Sequence, residues 1–241
     1  MSVDRPALRL VHTSDVHIGD DHNPGQRLKG LAAVVDASVE YAADALLIVG
    51  DLFDSSRVNG PDVDDALAQL ARIDIPILVT TGNHDVLDDG SIYHRVALSD
   101  AGGHVYFLDD PSGAHLVLEE LGLSVWARAM VDHHPGHKPL EKYEPGEKGY
   151  WQVVMAHGHY VPGGQETYRS SPILEAEIAG LACDYLALGH WHRYIDVSVN
   201  GVPAFYPGSP SEPGDTFASA NLVVLDTAGA ASVERVPLSL D

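Results

Sequence analysis

Five short stretches of this 241-residue chain carry side chains of the kinds that hold metal ions. "SDVHIGD" places Asp15 and His17 one residue apart, "VGDLFD" supplies Asp51 and Asp54, and "TGNHD" supplies Asn83, His84 and Asp85. "MAHGHY" carries His157 and His159, and "LGHWHRY" carries His190 and His192. A lone His or a single Asp-x-His is usually satisfied by a backbone partner and says little. Five such groups in one chain are harder to account for as core filling, because burying so many polar groups without a shared purpose is costly. A coordinated metal satisfies them together. Mixed carboxylate, imidazole and amide donors without thiolate suit Mn²⁺, Fe²⁺ or Zn²⁺ rather than a structural cysteine–zinc site. Even seven ligands drawn from these groups exceed the usual coordination of one ion and suit two ions that share a bridging carboxylate.

Each group closes an apolar run, so the elements that position them are legible. "ALRLVHT" (7–13), "ALLIVG" (45–50) and "IPILVTTG" (75–82) have strand character, while 26–43 and 61–73 carry helical spacing. This βαβαβ order implies parallel pairing through right-handed crossovers, with ligands expected at the carboxyl ends of the strands. The second half is richer in strands: "HVYFL", "AHLVLEE", "LSVWAR", "WQVVMAH", "DYLALGH", "IDVSVN", "VPAFYP", "ANLVVLD" and "ASVERV". Asn200-Gly201 is a hairpin signal between two of them. One helix is expected over 172–182. Residues 127–149 lack periodicity and hold three prolines, three histidines and three lysines, a long connection of the kind that is often functional. The fold class is α/β, one domain over 1–241 with two packed sheets and outer helices.

Thirty-five acidic against fourteen basic residues give a formal charge of −21. That speaks against a broad basic face for nucleic acid and against a polybasic membrane surface. Bound cations are outside the sum and can reverse the local sign. The lone Cys183 forms no internal disulfide and sits between apolar runs, as a buried structural thiol does. No run approaches a membrane span and the N-terminus lacks a long apolar stretch, so a cytosolic location is expected.

The ordered set Asp-x-His, Gly-Asp-x-x-Asp, Gly-Asn-His-Asp, a His after a strand, then Gly-His-x-His resembles the calcineurin-like metallophosphoesterase superfamily over residues 15–192. "HTSDVHIGD", "GDLFDSS" and "FYPGSP" (205–210) are similar to SbcD-type DNA repair nucleases. The resemblance implies a four-layer αββα sandwich of two mixed sheets flanked by helices, with two Mn²⁺ ions at a phosphodiester-cleaving site. Mapped by motif, Asp15, His17 and His192 hold one ion, Asn83, His157 and His190 the other, and Asp51 bridges both. His159 is a rival to His157, which directly follows the strand. By the same resemblance His84 stabilises charge on phosphate oxygens or protonates the leaving oxygen. Asp54 orients it as an outer carboxylate. Asp85 has the weaker claim and caps the segment that follows.

The implied chemistry is in-line attack on phosphorus by a hydroxide made available near neutral pH by the two ions. DNA is one substrate class. A small nucleotide or other small phosphate ester is another, favoured by the scarcity of cations to track a backbone: Arg57, Arg95, Arg128, Lys138 and Arg193 are the candidates. A non-catalytic scaffold is the third reading, and an intact ligand set with His84 speaks against it. The chain ends at Asp241, shortly after its last expected strands. Full SbcD-type nucleases continue into a further domain and an ATPase-docking segment, so an ATPase partner is not expected here.

Overall fold

Alternation along the strands sorts side chains onto two faces, and three apolar layers result. The computed structural model describes residues 5–211 and 217–241. The first half runs β1 (Leu8–Thr13), α1 (Pro24–Glu40), β2 (Ala45–Val49), α2 (Gly60–Leu70), β3 (Ile77–Thr80) and β4 (Val105–Phe107). Next come β5 (Ala114–Leu118), β6 (Leu123–Ala127), β7 (Trp151–His157), β8 (His159–Val161), β9 (Pro172–Leu174) and α3 (Glu175–Ala179). The chain closes with β10 (Tyr185–Gly189), β11 (Tyr194–Asp196), β12 (Ala204–Pro207), β13 (Ser219–Leu225) and β14 (Ala231–Pro237).

Two six-stranded sheets result, ordered β14-β13-β1-β2-β3-β4 and β11-β12-β10-β7-β6-β5. In each, four neighbouring strands run parallel, β1 to β4 in the first and β12, β10, β7 and β6 in the second. Antiparallel strands flank them. Leu46 and Ile48 of β2 face the helices and pack with Leu31 and Val34 of α1 and Val63 and Leu70 of α2. Leu47 and Val49 face the other sheet, where Val153 and Met155 of β7 and Tyr185 of β10 meet them. The far side of the second sheet, Val154, Leu186 and Leu188, is covered by Ile178 of α3, Leu140 of the long connection, and Val197 and Val202. The αββα sandwich is therefore present, with its second helical layer thin.

Two expectations change in detail. Residues 172–182 are not one helix, because Pro172–Leu174 pair in parallel with His159–Val161 and helix begins only at Glu175. The apolar spacing of that segment fits either state, and the pairing with β8 decides it. The strands around Asn200-Gly201 are shorter than expected, but the turn itself forms, with both residues at positive φ and Val199 paired with Val202. Cys183 is half-buried, and burial together with Asp184 pushes its thiol up to about 12, which suits an inert thiol.

His12 of β1 locks the sheets to each other. Its Nε2–H donates to the Leu188 carbonyl at 3.1 Å, leaving Nδ1 to accept the Tyr185 hydroxyl at 2.7 Å. Burial lowers its pKa to about 3, so the native ring stays neutral while the unfolded ring charges below about 6.5. The unfolded state then binds the extra proton, and stability present above pH 6.5 is lost as pH falls towards 3. Between pH 7 and 5 the native protein should lose about 2 kcal/mol more than His12→Gln in denaturant titrations. An equal loss in both proteins would contradict a neutral, buried His12.

Candidate metal centre

The parallel strands of both sheets end on one edge, and there the five groups converge. Asp15 and His17 follow β1, Asp51 follows β2, Asn83 and His84 follow β3, His157 ends β7, and His190 and His192 follow β10. Close packing, between the sheets at one point and between neighbouring turns at another, requires glycine at two places. A Cβ on Gly189 would overlap the Val49 carbonyl, and one on Gly82 would overlap the Asp51 carboxylate. Asp15, His17, Asp51 and His190 all adopt positive φ, at 55°, 57°, 53° and 114°. Such conformations cost on the order of 1 kcal/mol or more each for residues with a Cβ, and they cluster where function fixes a side chain's direction.

The donor atoms form two sets. On one side, His17 Nε2 lies 3.1 Å from His192 Nε2, and His192 Nε2 lies 3.6 Å from Asp15 Oδ1. His17 Nδ1 donates to Asp54 Oδ1 at 3.1 Å, so its Nε2 presents a lone pair to His192. Asp15 Oδ1 is buried without a hydrogen-bond partner. On the other side, Asn83 Oδ1 lies 2.8 Å from His190 Nδ1 and 3.1 Å from His157 Nε2. His157 Nδ1 donates to the Val49 carbonyl at 2.9 Å, which again turns Nε2 towards the other donors. Asp51 stands between the sets, its Oδ2 3.4 Å from His157 Nε2 and 3.9 Å from His17 Nε2. Asp15 Oδ1 and the His17 Nε2 lone pair near it are left poorly satisfied unless a cation lies among them. The orphaned Asp15 oxygen and the facing imidazoles therefore fit divalent metal ions.

Electrostatics agree with that reading. Burial works against charge on Asp51, but the His157 and His17 imidazoles hold its carboxyl well below the usual range. Burial also pulls His157 down, yet Asp51 overrides it and raises the imidazole to about 9. Burial and the neighbouring His157 keep His190 near 3, a neutral ligand-ready ring. Metal binding by Asp51 and His157 would be coupled to release of the proton that the pair otherwise shares.

Around these donors the sequence reading needs additions. Asp54 is closer to His17 than to His84: its carboxylate is 3.5 Å from His84 Nδ1, and its backbone carbonyl accepts the His84 Nδ1–H at 3.0 Å. Asp85, expected to cap the segment that follows, reaches back along the chain instead. Its buried carboxylate accepts backbone N–H groups of Gly82 at 2.6 Å, Leu52 at 2.9 Å, Asp51 at 3.2 Å and Phe53 at 3.3 Å, plus the Tyr93 hydroxyl at 2.7 Å. It thereby ties the turn after β2 to the turn after β3. Burial and the adjacent Asp51 raise its carboxyl to about 6. Ser209, in the "FYPGSP" stretch, donates to the Asp15 carbonyl at 2.9 Å, and Ser14 donates to the Asp15 carboxylate. A small hydroxyl residue beside a ligand is too common a pattern to have revealed either role. His159 stacks on Trp191 and stands outside the donor sets, its ring 6.0 Å from that of His190.

A family model for calcineurin-like phosphoesterases matches residues 8–194, a span that includes both donor sets. The chain belongs to the calcineurin-like phosphoesterase family. That family depends on two metal ions, and the donor groups described above could hold metal. This phosphoesterase is 28% identical over 215 residues to the DNA double-strand break repair protein Mre11 of Haloferax volcanii, covering 83% of this chain and 45% of that one. It is 27% identical over 243 residues to the SbcD component of the SbcCD nuclease of Bacillus subtilis, covering 84% of this chain and 61% of that one. The phosphoesterase thus spans about half the length of the curated relatives it matches. Among solved structures, TT1561 of Thermus thermophilus superposes with a TM-score of 0.58 at 13% identity, over 95% of this chain and 99% of that one. The purple acid phosphatase PPD1 of yellow lupin superposes at 0.50 and 13% identity, over 93% of this chain and 50% of that one. Those two likenesses concern the fold alone.

Proposed function

We propose that the protein is a two-metal phosphodiesterase acting on DNA, with Asp15, His17 and His192 holding one ion, Asn83, His157 and His190 the other, and Asp51 bridging them. The observation that carries this reading is the pair of facing donor sets on either side of Asp51. Mn²⁺ is the proposed metal on the strength of the resemblance to SbcD-type nucleases; the carboxylate, amide and imidazole donors suit it, as they suit Fe²⁺ and Zn²⁺. When bound, the ions lower the pKa of water and neutralise phosphoryl oxygens. The chain's own residues do the rest. Asp54 and the Val49 carbonyl fix the tautomers of His17 and His157, so that Nε2 is the ligating atom in each. His84 has Nδ1 engaged by the Asp54 carbonyl, which leaves Nε2 to meet the substrate. Protonated there, it gives its proton to the leaving oxygen.

DNA enters through the relatives, which are named as a nuclease component and as double-strand break repair proteins. A second reading, the same chemistry on a small phosphodiester, has a specific observation behind it. Of the five cations available to follow a strand, Arg95 binds the Ser56 and Val58 carbonyls and Arg128 binds Pro111, Lys138 and Glu141. Metal-stripped protein reloaded with Mn²⁺ should cleave both end-labelled DNA and an aryl phosphodiester, with His84→Ala as the blank. Cleavage of the small diester alone would move the assignment to the second reading. Silence on both with two ions bound would overturn phosphodiester hydrolysis as this chain's activity.

A further inference from the structure

The long connection between β6 and β7 is not a hinged flap where it passes the metal centre. Met130 receives the Leu87 N–H at 2.8 Å and gives its own N–H to Thr81 Oγ1 at 2.6 Å, so it is stitched to both sides of the Gly-Asn-His-Asp turn. Four residues on, the His134 carbonyl accepts the Ser171 N–H at 3.1 Å and the His137 N–H at 3.1 Å, and Ser171 in turn receives the His159 N–H at 2.9 Å. Met130, His137 and Ser171 are buried. The segment is therefore pinned at one end to the Asn83 and His84 turn and at the other beside the strand that follows His157.

Between those two anchors lies His133. Its exposed ring stands 6.0 Å from the His190 ring, inclined by 63°. The His84 ring occupies the other flank, 4.6 Å from His17 and nearly perpendicular to it. His133 therefore flanks one donor set as His84 flanks the other; His159, also 6.0 Å from His190, is stacked on Trp191. Apart from partial burial, the groups that His133 feels most are His157, Asp51 and His84, so it shares an electrostatic environment with one donor set, with the carboxylate between the sets and with His84.

Resting on the two-metal reading above, we propose that His133 is a substrate-contacting residue, donating a hydrogen bond to a phosphoryl oxygen on the His190 flank, opposite His84. The ligand class is a tetrahedral phosphorus oxyanion with at least one non-bridging oxygen. A hydrogen bond to a charged oxygen contributes about 1.5–3 kcal/mol, which corresponds to roughly 10- to 150-fold in binding. The contact reads the phosphoryl group itself, so it should act on ground-state binding as well as on turnover.

Dimethylphosphinate carries such an oxyanion on two P–C bonds and offers no ester to hydrolyse, so its affinity can be read without turnover. Calorimetric titration into Mn²⁺-loaded protein should show His133→Ala binding it at least tenfold more weakly than the native chain. His133→Gln, which retains an N–H donor, should stay within about threefold, and His133→Phe should behave as the alanine variant does. Metal analysis should find two ions per chain in all four proteins. Affinity for the phosphinate within twofold in His133→Ala, or loss of an ion from that variant, would overturn the assignment. Failure of the native protein to cleave any diester would count against the proposed activity, while the phosphinate affinities would still decide the role of His133.

Discussion

Asp51→Asn is expected to bind fewer than two Mn²⁺ per chain and to lose on the order of 10³ in kcat/KM on any phosphodiester. The substitution changes almost nothing in shape. Oδ1 can still accept the His84 N–H, which it does at 2.8 Å in the native protein. What disappears is the negative charge at Oδ2, the oxygen that lies between His157 and His17 and so between the two donor sets. Without it, six donors must hold two divalent ions side by side with only the Asp15 carboxylate, on one side, to offset their mutual repulsion. Elemental analysis after dialysis, together with steady-state kinetics, checks this. Two retained ions and activity within tenfold of the native protein would show that Asp51 is not the bridge.

The position of Asp51 among the donors is legible in the sequence, because it follows "ALLIVG", an apolar run with strand character, and the other donors follow comparable runs; the bridging role comes from the resemblance. Ligand type and strand ends are local properties, and local properties are what a sequence displays. Distances between elements are not local. Nothing in "GDLFD" shows that the Asp54 carboxylate sits nearer to His17 than to His84, because that depends on how the turns after β1 and β3 pack around it. The reach of Asp85 is hidden for the same reason: three of its five partners, Asp51, Leu52 and Phe53, lie more than thirty residues away. The left-handed backbone at Asp15, His17 and His190 is equally hidden, since these are not glycines and only the converging geometry demands it. Likewise the connection over 127–149, featureless by periodicity, is ordered by backbone contacts to Thr81, Leu87 and Ser171 that no pattern within it announces.

His84→Ala should separate chemistry from metal binding. The ring is partly exposed, touches the Asp54 carbonyl, and meets His17 edge-on, while the backbone N–H that reaches Asp51 survives in alanine. Both ions should therefore remain, with turnover falling about 10²- to 10⁴-fold, the range for a positioned acid or base. The leaving group sharpens the expectation. A sugar alkoxide needs its proton far more than an aryl oxide does, so the loss on DNA should exceed the loss on an aryl diester by tenfold or more if His84 is the proton donor. Equal losses on both substrates would instead place the ring against the non-bridging oxygens, where it stabilises charge without transferring a proton. Loss of an ion along with activity would contradict either role, because it would make His84 part of the structure that holds the metals.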